Sequence, residues 1–447
     1  MPNPNNKLNE KELLREKILD LTKTYVKKFG NNLKKSKNIN VTGKVIDHEE
    51  VCNIVDSGLD MWLTAGRFNN EFEKKLKRFI GVKYLLTCNS GSSANLIALS
   101  ALCSQSLMGN NYIKRGSEVI TCAVGFPTTI NPILVNGLIP VFVDCELSTY
   151  NIDEKKIEES INHKTRAIMI AHTLGNPFAL EKIKKICEKY NLFLVEDCCD
   201  ALGSKYLNQH VGTFGDIGTL SFYPAHHITM GEGGAIFTNS SRVKRAMESI
   251  RDWGRDCWCE TGCDNTCKKR FQWKFDKLPY GYDHKYIYSS LGYNLKVTDM
   301  QAAVGLAQLE KLDFFVKKRK ENFSYLSKLL EPLSKIFILP SAAKYSDPSW
   351  FGFPLMIKNN CISRNSLINY LENNNIKTRL LFAGNIIKQP YMHFEKFKKV
   401  GDLKNANLVM NNAFWVGIYP GISKKELSRV SEIIHFYVNN IDKNKIA

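Results

Sequence analysis

The chain has 447 residues, 44% of them hydrophobic, and a formal charge of +18. That length buries a large core and predicts two or three structural units. No run of about 18 apolar residues occurs and the opening MPNPNNKLNEKELLREK lacks the apolar core of a signal peptide, so a soluble, cytoplasmic protein without a membrane span is expected. The positive charge favours anionic partners, but the lysines are dispersed along helix faces and tails and form no block with interleaved aromatics. Nucleic acid is therefore not expected. A phosphorylated cofactor, a nucleotide-linked substrate and an acidic protein fit the charge equally well.

In chain order, Leu14, Ile18, Leu21, Tyr25 and Phe29 recur every three or four residues and predict a helical arm over residues 1–40. A second helix follows VTGKVIDHEEV and ends near Trp62. From Tyr84 the pattern changes to seven short apolar runs: YLLTC, EVITCAV, PVFVDC, RAIMIAH, LFLVEDC, GTLSFY and GAIFT. Helices are read from Ser92, Thr128, Ala179 and Arg242, so the runs form a seven-stranded, mostly parallel sheet in an α/β domain over 41–315. A Cys-rich insertion at 255–290 interrupts that domain. A long helical run from Val297 then leads into a smaller C-terminal α/β domain over 316–447.

Ligands of such sheets bind at the carboxyl ends of the strands, which directs attention to the residues that follow each run. After YLLTC, the small residues Ser90 to Ser93 open a helix whose N–H groups suit a phosphate, although small residues there are also ordinary caps. Phe126, after EVITCAV, fits either the core or a stack on a planar ring. After LFLV come Glu196, Asp197, Cys198, Cys199 and Asp200, too many carboxylates and thiols for packing alone. Strand alternation puts Asp197 and Cys199 on one face and Cys198 on the other. After GTLSFY, Pro224 delivers His226 and His227 ahead of the glycine-rich turn GEGG. Thirteen cysteines in a cytoplasmic chain are not expected to form disulfides, and four crowd into Cys257 to Cys267.

Taken together, GRFNNEFEKKLKRFIGVKYLLTCNSGSSANLIAL, HTLGNP, VEDCCDALGS, SFYPAHH, GEGGA and GYNLKVTDMQAAVGLAQLEKL resemble the DegT/DnrJ/EryC1/StrS sugar aminotransferases over nearly the whole chain. The resemblance implies the fold type I (aspartate aminotransferase-like) architecture of pyridoxal-phosphate enzymes. It also implies residue roles. Asp197 would pair with the pyridine nitrogen and Phe126 would stack on the ring. Gly91, Ser92, Ser93 and Ser221 would hold the phosphate, and Asn294 would reach the phosphate in the neighbouring subunit of a homodimer.

Two departures bear on the chemistry. The Schiff-base lysine of the family falls five residues after the serine of the SF strand end, and counting from Ser221 that position is His226. An imidazole forms no stable Schiff base but does take and return protons. Ordinary transamination is thereby disfavoured, and proton abstraction from bound pyridoxamine phosphate joined to a keto sugar remains. Second, 57 residues separate Cys199 from Cys257, one separates Cys257 from Cys259 and seven separate Cys259 from Cys267. This spacing resembles the iron–sulfur 3-dehydrases of nucleotide-linked 4-keto-6-deoxyhexoses, in particular CDP-4-keto-6-deoxyglucose, in which four matching cysteines hold a 2Fe-2S cluster. A flavin and iron–sulfur reductase is the implied electron donor, and Arg379 and Asn385 are implied substrate contacts.

Other readings stay open on the sequence. Cys257, Cys259, Cys263 and Cys267 also suit a zinc knuckle, in a cluster-free dehydratase that takes its amine from glutamate. A regulatory descendant without turnover would need neither metal nor cofactor. The choice between CDP and dTDP, and the roles of Cys198, Cys263 and His227, are not read from the sequence.

Overall fold

The computed structural model describes residues 4–30, 37–259, 262–358 and 362–440. Parts of the expected arm (1–3 and 31–36), two residues of the Cys-rich stretch (260–261) and the chain end (441–447) lie outside the described residues. All seven expected strands form: β1 (Tyr84–Cys88), β2 (Glu118–Cys122), β3 (Ile139–Val143), β4 (Thr165–Ala171), β5 (Phe193–Asp197), β6 (Ile217–Ser221) and β7 (Gly234–Thr238). They lie in the order β1-β7-β6-β5-β4-β2-β3. Only β7 runs against its two neighbours in this set. An eighth, edge strand, Lys398–Lys399, comes from the C-terminal part and pairs parallel to β3. Sequence pattern does not reveal it, because two lysines carry no apolar alternation, although lysine is a common guard of sheet edges.

The strands are buried almost throughout, as expected of a parallel sheet covered on both faces. The covering helices start within one residue of their expected positions: Gly91–Leu102, Pro127–Val135, Leu180–Tyr190 and Ser241–Arg251. A further helix, Arg67–Ile80, was not expected, yet it buries Phe68, Phe72, Leu76 and Ile80, a clear four-residue stripe. The second helix spans His48–Gly58, closed at its start by a capping box between Asp47 and Glu50, and stops short of Trp62. The N-terminal helix, Pro4–Phe29, packs on it through Arg15, which bonds Asp56 and Asp60. Its stripe of Leu14, Leu21 and Tyr25 is exposed in the single chain.

The long run after Val297 divides into Asp299–Glu310 and Leu312–Leu330. At the break, the Lys311 ammonium bonds Asp47, Glu49 and Glu50. The second helix leaves one core and enters another: Leu312 and Phe315 belong to the core of the large sheet, and Leu326 and Leu330 to a separate C-terminal core. That second core lies against a four-stranded antiparallel sheet of Phe337–Ile338, Phe353–Ile357, Ala413–Val416 and Thr378–Arg379.

Glu196, at the penultimate position of β5, explains one of the carboxylates that packing seemed unable to accommodate. It is fully buried and accepts bonds from the backbone N–H groups of Gly212 (2.7 Å), Phe214 (2.9 Å) and Gly215 (2.6 Å), with His172 Nε2 at 3.1 Å. His172 in turn stacks on Phe178 at 4.1 Å. Glu196 thus fastens the loop that leads into β6. Glu196→Ala, which removes the acceptor of three backbone N–H groups, is expected to lower stability by about 3 kcal/mol, read as a lower denaturant midpoint. Lys185→Ala, which removes an exposed pair with Glu181, is expected to cost less than about 1 kcal/mol.

Candidate active site

A cavity of about 1120 Å³ opens where β1, β2, β4, β5 and β6 end. Its wall is built from the residues that follow each strand, so one sheet edge collects Ser92, Phe126, Asp197, Ser221 and His226 from across some 135 positions. Arg379, Phe382 and Trp415 close the other side from the C-terminal part.

Asp197 is the fixed point of this wall. It is buried, and its Oδ2 accepts from Thr129 Oγ1 (2.6 Å) and Asn95 Nδ2 (2.8 Å), with the Cys199 N–H on Oδ1 at 3.1 Å. Asn95 is itself oriented by Thr219 Oγ1, which donates to Asn95 Oδ1 at 2.7 Å. A carboxylate so supported stays in one orientation and faces a space large enough for a heteroaromatic ring. Neither Asn95 nor Thr129 was expected from the sequence. Their signal is weak, since a polar residue one turn into a helix reads as an ordinary surface position.

Phe126 caps the Pro127 helix and leaves half its ring exposed, edge-on to Phe382 at 5.7 Å. Gly91 opens the helix that follows β1, with Ser90 as its cap: the Ser90 Oγ accepts from the Ser93 N–H at 3.1 Å. Ser92 and Gly91 line the cavity, whereas Ser93 is tied into the cap. Gly91 is required by space. A Cβ there would overlap the Ser221 side chain and press on the Cys199 sulfur. This floor of small groups at a helix N-terminus is a cradle shaped for a phosphate.

His226 sits in a turn after β6, with its ring 5.2 Å from Phe351 and its Nδ1 3.4 Å from Asp200 Oδ1. Burial pushes its proton affinity down, to a pKa of about 4, so the imidazole is neutral at physiological pH. Burial, then the neighbouring Asp197 charge, pushes Asp200 up to about 8. The adjacent His227 points elsewhere: its Nε2 lies 2.8 Å from the Ser349 carbonyl, a buried structural contact. No lysine is among the described residues that line the cavity.

The expected thiols fall into two places. Cys199 lines the main cavity, and burial raises its pKa well above the ordinary thiol value. Cys257, Cys259 and Cys267 line a small recess with His284. There the Cys259 N–H meets the Cys257 sulfur at 3.5 Å, and Thr266 Oγ1 donates to the Cys259 sulfur at 3.1 Å. Bridges between Asp252 and Asn294, and between Arg255 and Tyr288, close the base of this irregular insertion. His284 bonds Asp256 at 2.7 Å and stacks on Trp273 at 4.6 Å. Cys263 is exposed, and Cys198 is buried on the opposite face of β5 from Asp197. Asn294 is exposed and does not line the cavity of its own chain. Asn385 is buried behind the wall, where its Nδ2 donates to Asn407 and its Oδ1 has no partner.

The chain has extensive likenesses among known proteins. The lipopolysaccharide biosynthesis protein RfbH of Salmonella typhimurium is 59% identical over 390 residues, covering 87% of this chain and 89% of that protein. The dTDP-4-dehydro-2,6-dideoxy-D-glucose 3-dehydratase of Saccharopolyspora spinosa is 50% identical over 401 residues, covering 90% and 86%. A solved structure of GDP-4-keto-6-deoxy-D-mannose-3-dehydratase from E. coli, with bound hydrated PLP, superposes with a TM-score of 0.80 at 28% identity, over 89% of this chain and 99% of that one. The DegT/DnrJ/EryC1/StrS aminotransferase family profile matches residues 44–435. With its α/β sheet and its strand-end cavity, this chain belongs to that family and has the fold of the pyridoxal-phosphate-dependent aminotransferases.

Proposed function

We propose that this protein removes water at carbon 3 of a nucleotide-linked 4-keto-6-deoxyhexose, CDP-4-keto-6-deoxyglucose foremost, with pyridoxamine or pyridoxal phosphate as cofactor. With a flavin and iron–sulfur reductase as partner, the net result is loss of the carbon 3 hydroxyl, giving a 3,6-dideoxyhexose for surface polysaccharide. One observation carries the reading. The cavity presents a clamped carboxylate, a half-exposed aromatic ring and a small-residue helix start, but His226 stands where the family places its lysine. The names of the relatives support the reaction class, since one is a sugar 3-dehydratase and one serves lipopolysaccharide synthesis.

When bound, the cofactor supplies an amine for the keto carbon and a ring that accepts electron density. Asp197, fixed by Asn95, Thr129 and the Cys199 N–H, is oriented to keep a proton on the ring nitrogen. Phe126 covers one ring face, and Gly91, Ser92 and Ser221 hold the phosphate, with Ser93 supporting the cap. His226 turns Nδ1 towards Asp200 and is left with Nε2 to take and return the proton. Its burial keeps that nitrogen unprotonated at neutral pH, the state a base needs. Arg379 meets the diphosphate at the mouth, and Asn385 supports the same side. Asn294 completes the phosphate site of the second subunit in a homodimer.

The thiols of Cys199, Cys257, Cys259 and Cys267 are a donor set suited to a 2Fe-2S cluster, which supplies one-electron transfer when bound. The grouping of Cys257, Cys259 and Cys267 in one recess without Cys199 favours a second reading, a zinc knuckle in a cluster-free dehydratase.

Anaerobically purified protein is expected to be brown and to carry about two irons per chain, both lost in Cys199→Ser. Zinc without iron, unchanged in that variant, selects the second reading. His226→Gln is expected to retain the cofactor absorbance and to lose at least about 100-fold in turnover of the 4-keto sugar. Asp197→Asn is expected to lose both activity and most of the bound cofactor. Full turnover in His226→Gln would place the base elsewhere.

A further inference from the structure

Arg319 is the largest of the fully buried side chains among the described residues, at 1% exposure, although it lies in the run KKRK, where arginine is normally solvated. Its neighbours Lys318 and Lys320 reach surface carboxylates, whereas Arg319 turns inward from the helix Leu312–Leu330. Among the described residues no carboxylate lies within ion-pair distance of it. Its Nη1 donates to the carbonyls of Trp350 (3.2 Å) and Phe351 (3.0 Å), its Nη2 to the carbonyl of His226 (3.4 Å), and its buried Nε has no partner. A buried cation whose hydrogen bonds all go to carbonyls, with Asp200 the acidic group that acts on it through space, is costly, so a role for its charge is to be sought in what surrounds it.

What surrounds it is the proposed base. The guanidinium bonds the turn that carries His226 and His227, and with both of them it lines a small void separate from the cavity. Its bonds join that turn to Phe351, whose ring contacts the His226 imidazole and lines the cavity. The titratable and charged groups around His226 are Asp200 at 3.4 Å and Asp197 from the end of β5, His227 in the same turn, Lys44 on the same void, and Arg319. The Asp197 charge favours protonation of the imidazole, and Arg319 opposes it.

We propose that Arg319 is a positioning residue for His226: its guanidinium fastens the His226 carbonyl to the Trp350–Phe351 backbone, and its unpaired charge holds the imidazole in the proton-accepting form. This rests on the reading of His226 as the base. It assigns to a residue with no place in the cavity wall the task of countering Asp197, the acidic group that the proposed cofactor site requires.

Two variants separate the anchor from the charge. Arg319→Lys keeps the charge and loses the forked contacts, and Arg319→Gln loses the charge. In Arg319→Gln the acid limb of the kcat/KM profile for the 4-keto sugar is expected at higher pH than in the parent, and kcat is expected to fall about ten-fold with KM little changed. In Arg319→Lys the limb stays in place while kcat falls. A second readout follows the His226 imidazole directly by NMR in the cofactor-free chain, its signal identified by its loss in His226→Gln. At about pH 5 a larger protonated fraction is expected in Arg319→Gln than in the parent.

An unchanged acid limb and an unchanged imidazole titration in folded Arg319→Gln would overturn the proposal and leave Arg319 as structural glue. Should that variant fail to fold, Arg319→Lys decides by itself, because a kcat equal to that of the parent would overturn the anchoring role. If the parent turns over no 4-keto sugar, the proposed reaction fails, and the imidazole titration still decides what Arg319 does to His226.

Discussion

Two carboxylates adjacent in the chain, at the end of one buried strand, must both be taken out of water without being left unpaired. That constraint governs most of the rest of the structure. A bare buried carboxylate costs several kcal/mol or takes up a proton, and β5 avoids this by alternation. Glu196 points to one face and is saturated by the 212–215 loop, while Asp197 points to the other and is saturated by two helix side chains and a backbone N–H. The first arrangement fixes the loop that feeds β6, and hence where Ser221 and His226 fall. The second fixes the anchor of the cavity. The backbone scaffold and the chemistry are therefore set by neighbouring residues of one strand.

The same low-dielectric surroundings shape the acid–base groups. Arg319 is buried, His226 and Asp200 are largely enclosed at the cavity wall, and each is shifted towards its neutral form: His226 to about 4, Asp200 to about 8 and Arg319 to about 10. Their charges come from three separate elements, the end of β5, the turn after β6 and the helix that joins the two cores. Phe351, from the C-terminal part, presses on the imidazole and is held by Arg319. The site is consequently sensitive to how that helix sits between the cores.

The insertion at 255–290 has little regular structure in its described residues and is held differently. Two backbone bridges close its base, and Trp258, Trp273 and His284 pack as an aromatic group beside the thiols. Such a loop has too few apolar residues to build a core of its own, so its order depends on these ring contacts and on the Arg270 and Asp283 pair.

Much of this was legible in the sequence. The seven strands were, because strands buried on both faces must be short unbroken apolar runs between turn residues. The strand-end residues followed, since chain order alone places Phe126, Asp197, Ser221 and His226 at or just after the carboxyl ends of β2, β5 and β6. The helix Arg67–Ile80 carried a readable stripe that the charged residues around it obscured. The strand at Lys398–Lys399, the helix contacts of Asp197 from Asn95 and Thr129, and the burial of Arg319 within KKRK were not legible. Periodicity reports only which face of its own element a residue occupies. Whether a charge on that face meets water, a carbonyl or an acid depends on segments tens of residues or more away in the chain. The sequence by itself thus determined the elements and the residue types offered at the sheet edge. Only the tertiary structure decided which of those groups are paired, which face the cavity and how strongly each holds its proton, because desolvation and charge pairing are properties of neighbours in space.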